Sequence, residues 1–523
     1  MLNWVRECIE THEICGGSVP ARQFMPTRVL ELDFTQPRPT FCLMSGVDCP
    51  QDSKYCTMSH CWGTKPVNKM IRLSNTSMET LSKGQPIDVL PITFREAMVI
   101  ANRLGVRYLW IDRLCIFQDS DQDWNQELVT IRDIYKNTFV NIAALGAKDD
   151  EGGCFFNRNI SKVAPGVVNV RFDREEKTKP FVCERELQAS YSTKFHKEPL
   201  MNRGWVVQER LLAPRVLYFG STQIYWECCQ ALKTETYRNM WNNHEQTGSL
   251  SSCRKLLLFN SVQLRNSTVS EQLVTDWNNI IQLYSKCTLT MPKDKLAAIA
   301  GLATDMKKRL QETQPGNHQY LAGLWRTHMP NCLLWTPQGN PPLRVKEYRA
   351  PSWSWACFDS PFDMTLCYHD PNTPMYASLV SAETVNIPEG IETGRVISGK
   401  ITVSAPVIQV RCDESRQNTG MHIVQSLQLD KDTDLRFFPE RDDLTEWGIL
   451  SSPCLRFDAL EDVQGDITQV IIHPVFSYCW GLALIPAGDG AFRRVGICRY
   501  QFSNFDFMDK FMQRFGLKEV TII

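Results

Sequence analysis

Between residues 54 and 145, short runs of β-branched and aromatic residues alternate with amphipathic stretches long enough for helices, and this alternation constrains the fold more than any other feature. Lys54–Ser59 reads as a short strand. Thr93-Phe94-Arg95-Glu96 has capping-box spacing, so a helix is expected from there to Leu104, with Gly105 supplying the stop. Val106–Asp112 is a β-rich buried run, and Gln118–Asp123 a polar loop. Asp123–Lys136 follows as an amphipathic helix and Thr138–Ala144 as a third strand. Parallel neighbours need a crossover of a dozen or more residues, which these helices supply. The expected fold class of the N-terminal half is therefore α/β, a doubly wound and mostly parallel sheet.

A chain of 523 residues exceeds what one core organises. Residues 1–50 read as a helical and irregular segment, and residues 51–230 as the α/β domain. Within the latter, Asn202–Leu212 looks helical and Val216–Cys228 forms a hairpin around Gly220-Ser221. Residues 231–345 are mainly helical, and 346–523 form a β-rich C-terminal region of short strands broken by Pro, Gly and Asp. The 57 basic residues balance 58 acidic ones, which gives no sequence-wide field for nucleic acid or an anionic membrane; neither is expected as a partner. The first fifteen residues lack a continuous apolar segment of the secretory kind, and no run of about 18 apolar residues suggests a membrane span. A cytoplasmic location is expected, with the 20 cysteines as reduced thiols.

The phosphate loop GxxxxGK[ST], the GxGxxG fingerprint, HExxH, GxSxG and CxxC pairs are all absent from the sequence. Cys8-x3-His12-x2-Cys15 has ligand types that suit zinc, with a fourth ligand to be sought among Cys42, Cys49, Cys56 and Cys61. The same spacing is also one helical face, and cysteine is among the most buried residues. Core packing is the preferred reading: no metal and no cofactor is expected.

Polar residues gather where the strands end. Ser59-His60-Cys61-Trp62-Gly63 closes the first strand, and Asp112-Arg113 the second. In open α/β sheets, ligands bind in the crevice outside the carboxyl ends of strands. With about 100° per residue, Leu128, Ile131, Ile134 and Tyr135 share an apolar arc with Trp124. Glu127 falls inside that arc and Asp133 opposite it. A carboxylate in a buried stripe must be clamped by a cation or carry a raised pKa for catalysis. On the later helix Trp205, Gln208, Glu209 and Leu212 share a face. Arg203 and Arg210 are candidates to neutralise Glu127 or Asp112, or to bind a phosphate.

These blocks resemble the fungal heterokaryon incompatibility (HET) domain family. Ser59-His60-Cys61-Trp62-Gly63 is similar to its first block, and Leu90-Pro91 through Gln118-Asp119 to its longest. Asp123-Trp124-x-x-Glu127, Ile134-Tyr135 and Ile142-Ala143-Ala144 continue it. Arg203-Gly204-Trp205-x-x-Gln208-Glu209-Arg210 through Arg215 is similar to the third. Tyr320–Trp325 and Pro351-Ser352-Trp353-Ser354-Trp355 look like the C-terminal extensions of such proteins. Arg113 stands where the family usually has Ser.

The resemblance implies that residues 51–230 are a HET domain acting in fungal self/non-self recognition and programmed cell death. The partner would be an incompatibility protein or a second copy of the chain. The family is also distantly TIR-like, and Trp124-Asn125-Gln126-Glu127-Leu128 matches the TIR W-x-x-E-L helix. A TIR-like sheet and NAD glycohydrolase activity are thereby implied, with NAD as substrate rather than cofactor. Glu127 and Asp112 would be catalytic, and Ser59, Trp62, Arg203, Gln208 and Arg210 would bind substrate. The alternatives are a non-enzymatic oligomerising signalling module, or a HET-type protein co-opted into a fungal secondary-metabolite pathway.

Overall fold

The computed structural model describes residues 1–16, 24–159, 166–170, 179–183, 194–236, 269–313, 315–338, 344–367, 373–387, 390–411, 422–423, 426–430, 433–436, 449–458, 466–475 and 478–523. They divide into two compact units, Met1–Leu264 with Cys287–Leu289, and Arg265–Lys286 with Thr290–Ile523.

The strands of the first unit are β1 (Arg28–Asp33), β2 (Thr40–Ser45), β3 (Tyr55–Ser59), β4 (Gln85–Pro86), β5 (Tyr108–Trp110) and β6 (Asn141–Ala143). After a separate hairpin of β7 (Gly166–Val170) and β8 (Lys179–Cys183) come β9 (Arg215–Phe219), β10 (Ile224–Cys228) and β11 (Leu232–Thr234). Apart from β7 and β8 they form one sheet in the order β11-β10-β9-β6-β3-β5-β1-β2-β4. The three strands expected from the alternation pair as anticipated, with β3 between β5 and β6, and β5-β3-β6-β9 are all parallel. The flanks are antiparallel, so the expected mostly parallel sheet is in fact a mixed one. The reason lies in the connections: β1–β2 and β9–β10–β11 are joined by short links, which can make only antiparallel neighbours.

The longer helices described in this unit are α1 (Leu2–Thr11), α2 (Ile92–Arg103), α3 (Asp121–Lys136) and α4 (Gly204–Leu212). The chain steps from β3 to β5 through α2, then back past β3 to β6 through α3. Right-handed crossovers in opposite directions put their helices on opposite faces, and side chains of alternating direction along β3 and the residue just past it record this. Tyr55 donates to the Ile134 carbonyl of α3 at 2.6 Å, whereas His60 meets the Phe94 ring of α2 at 4.8 Å.

Two local expectations are corrected. The cap of α2 is Pro91, without a side-chain bond. Thr93 and Glu96 instead accept backbone N–H groups of Gly153, Cys154 and Phe155, so the capping-box residues fasten a neighbouring loop. Gly105 does stop the helix, at φ +72°. At the N-terminus α1 ends at Thr11, His12 is extended, and a separate short turn covers Glu13–Gly16. Cys8, His12 and Cys15 therefore do not share one helical face.

The second unit begins with two helices, Val269–Ser285 and Ala300–Thr313, in line with a helical middle. A ten-stranded sheet follows among the described residues, antiparallel except where Ala491-Phe492 pairs with Thr521-Ile522, with Arg395–Arg411 its longest strand. Its core includes Ile467, Ile471, Val495, Tyr500 and Phe511. The two tryptophan-bearing motifs of this unit meet. Ser354 donates to the Ala322 carbonyl at 2.5 Å and the Trp355 indole to that of Gly323 at 3.2 Å. Gly323 has φ +97°, and a Cβ there would lie 2.7 Å from Trp355, which accounts for the glycine. No helix among the described residues is long and apolar enough to cross a membrane.

Candidate functional site

The carboxyl ends of β3, β5 and β6 carry a connected polar cluster. Ser59, last residue of β3, is buried and receives the side-chain amide of Asn141 at 2.9 Å. Its hydroxyl donates to Glu209 of α4, and Tyr135 of α3 hydrogen-bonds to the same carboxylate. Glu209 is only partly exposed. Burial pushes its carboxyl up to about 7, against the opposing pull of the Arg203 guanidinium and the Ser59 hydroxyl. A carboxyl poised there is divided between acid and base at neutral pH, which suits proton transfer.

Asp112 lies beside this cluster and starts a single helical turn. One oxygen accepts the Arg113 N–H at 2.7 Å and the other the Trp62 indole N–H at 3.0 Å. It therefore fixes a tryptophan while keeping partial exposure, and the cap of the turn is Ile111, without a side-chain bond. Arg203 donates to the His60 carbonyl and contributes positive potential at Glu209. His60 is buried, with Nδ1 3.7 Å from Asp112 and Nε2 without a partner among the described residues. Burial pushes its imidazole down to about 3, so it is neutral.

Of the expected site residues, Ser59, Trp62, Asp112 and Arg203 thus come together. Glu127 does not join them. It is buried as anticipated, at 3% exposure, but on a different set of partners. Arg28 at the start of β1 reaches Glu127 at 3.3 Å and Asp123 at 2.6 Å, and also donates to the Cys115 carbonyl at 2.7 Å. Thr27 and Thr130 bond to Glu127 as well, and burial raises its pKa. The expected partners Arg203 and Arg210 are replaced by an arginine from the first strand. Arg210 is likewise engaged elsewhere: it pairs with Glu227 at 2.9 Å, and Tyr218 donates to that carboxylate at 2.5 Å. Its guanidinium is 5.1 Å from the Phe195 ring, leaving it in the core rather than facing a phosphate. Gln208 is buried.

The residue sequence reasoning left out is Glu209. The signal was present in the shared face of Trp205, Gln208, Glu209 and Leu212, but that face does not say which polar member meets Ser59. A cavity of about 700 Å³ lies elsewhere, in the second unit, lined by Arg344, Lys346, Arg349, Lys400 and Arg493 among others. It holds no comparable carboxyl cluster, so the chemistry points to the strand ends.

Residues 55–209 match the family model of the heterokaryon incompatibility protein (HET). The match opens at the first residue of β3 and closes at Glu209, so the chain carries a HET domain that spans the strand-end cluster. No curated protein and no solved structure matches the chain.

Proposed function

We propose that the protein acts in a fungal heterokaryon incompatibility-type response leading to cell death, and that its HET domain does so by cleaving a glycosidic bond in NAD at the strand-end crevice. The observation that carries this reading is the Glu209 carboxyl, held by Ser59 and Tyr135 and poised near 7 where parallel strands end. The family's distant likeness to TIR domains supplies the substrate. In TIR enzymes the W-x-x-E glutamate serves the reaction; here Arg28 occupies the matching Glu127, and the chemistry passes to Glu209.

As carboxylate, Glu209 stabilises the oxocarbenium-like ribosyl centre and takes a proton from the attacking water. The bond from ribosyl carbon to pyridinium nitrogen breaks, its electron pair returns to the ring, and nicotinamide leaves neutral. The water oxygen bonds to the ribosyl carbon, giving ADP-ribose. Asp112 orients ribose hydroxyls, Trp62 flanks the base, and Arg203 faces the pyrophosphate.

The test is to incubate the purified full chain with NAD, with and without a crowding agent, and follow nicotinamide release. Turnover should rise with pH through about 7 as Glu209 ionises, and Glu209→Gln should abolish turnover and cell killing together while the protein still folds. Killing at the normal rate by a folded Glu209→Gln protein, without nicotinamide release, would leave the non-enzymatic signalling module.

A further inference from the structure

We infer that Cys8, His12, Cys15 and Cys228 form a structural zinc site that fixes the N-terminal helix to the end of β10. Their ligand atoms all lie within 4.8 Å of one another, and Cys228 Sγ is 3.3 Å from His12 Nδ1. Zn–S bonds of about 2.3 Å and Zn–N bonds of about 2.0 Å place tetrahedral ligands roughly 3.5–3.8 Å apart. Four donors within the observed span close on one ion with little movement. None of Cys42, Cys49, Cys56 and Cys61 belongs to the group. The fourth ligand comes from 213 residues beyond Cys15, too far along the chain for any spacing rule to find it.

Packing alone explains the arrangement less well. Three buried thiols are ordinary core residues, and one continuous helix would have buried Cys8 and Cys15 on the same face. The chain instead breaks at His12, which is extended, and restarts as a short turn that carries Cys15. That break points one imidazole nitrogen and three sulfurs at a common centre.

The surroundings match a metal with this ligand set. Zinc with three thiolates and a neutral imidazole carries a net charge of −1, which needs a nearby cation. Arg215 provides it, with Nε 3.4 Å from Cys8 Sγ and a second nitrogen donating to the Cys15 carbonyl at 2.8 Å. The Gln230 backbone N–H donates to Cys228, the kind of outer bond that orients a thiolate ligand. A closed set of four protein ligands leaves no position for water or substrate, which makes the site structural rather than catalytic.

The experiment uses the full chain purified without chelator and without added metal. Elemental analysis should find one zinc per chain. Cys228→Ser and His12→Ala should each lower it, whereas Cys49→Ser should leave it unchanged. On the unmutated protein, a strong chelator should make three further thiols reactive toward a thiol reagent, and cobalt(II) should restore protection with the absorption spectrum of a tetrahedral thiolate complex. A chain without metal, whose thiol reactivity is the same with and without chelator and whose cobalt spectrum shows no thiolate bands, would overturn the inference. Zinc content that survives Cys228→Ser unchanged would overturn it equally.

Discussion

Among the described residues each unit buries one arginine completely, and the two are treated differently. In the second unit Arg494 pairs with Asp458 through two nitrogens at 2.7 and 3.1 Å and donates to the carbonyls of Leu333 and Trp335, with its guanidinium 3.5 Å from the Trp335 ring. In the first unit Arg113 makes one ion pair, to Asp150 at 2.8 Å, while Nε and one terminal nitrogen have no partner among the described residues. It rests on the rings of Phe94 and Trp62, 4.3 and 5.9 Å away. Arg494 is the hub of a satisfied network, which specifies one arrangement of the loops it ties. Arg113 sits next to the candidate crevice in a network left incomplete, in a position where the family usually has serine. Full satisfaction marks scaffold; partial satisfaction beside a strand end is what a site retains at a cost to stability.

The sharpest way to break that contrast is to remove each arginine. Arg494→Met leaves Asp458 and two carbonyls buried without donors and should cost about 3–5 kcal/mol. Arg113→Met leaves Asp150 still held by Lys65 at 3.3 Å and should cost about 1.5 kcal/mol. Urea unfolding of the two variants measures both, and equal losses would erase the distinction.

Acid reaches both units, through His60 in the first and His328 in the second, whose imidazole burial pushes down to about 4. His60 is held neutral in the fold, its pKa pushed from 6.5 down to about 3 by burial. Its contribution is complete above 6.5 and is lost as pH falls through that interval, amounting to about 2 kcal/mol at pH 5. Between pH 7 and pH 5, His60→Gln should lose about 2 kcal/mol less stability in urea than the unmutated protein, because the opposing titration of Glu209 and the parallel one of His328 are common to both. An identical pH dependence in the two proteins would contradict a buried neutral imidazole.

The smallest effect belongs to Glu127→Gln. An arginine clamp on a lone carboxylate would make the change severe, but Arg28 keeps Asp123 at 2.6 Å and the Cys115 carbonyl at 2.7 Å. The loss should stay under about 1 kcal/mol, with killing and turnover retained. A folded Glu127→Gln protein that loses both would return catalysis to this residue and away from Glu209.

How far the sequence disclosed all this depended on the range of the signal. Sequence pattern is local, and it located β3, α2, β5, α3, β6, α4 and the β9–β10 hairpin to within a few residues, the helices by a buried face at a fixed period and the strands as short runs buried throughout. It also put Glu127 and the Gln208-Glu209 face inward. Partners were beyond its reach. Arg28 meets Glu127 across 99 residues, and Arg203 meets the His60 carbonyl across 143. Arg210 lies only 17 residues from Glu227, yet that pairing depends on β10 folding back over β9. The antiparallel flanks escaped for the same reason: β1 joins β5 through tertiary pairing that its own six residues do not announce.

The central place of β3 also sets a timetable for the nascent chain. β1 and β2 can form a hairpin as soon as both have been made, but both neighbours of β3, β5 and β6, are later in the chain. At ribosomal rates of about 5–20 residues per second, the stretch from Tyr55 to Glu209 takes roughly ten to thirty seconds to emerge. Throughout that interval the first strand of the crevice waits for its neighbours. Ser59 arrives early and Glu209 last, so a growing polypeptide acquires its acid only after the four-strand parallel centre is nearly complete. Every truncated product shorter than that lacks the carboxylate held by Ser59 and Tyr135, whatever part of the domain it has managed to fold.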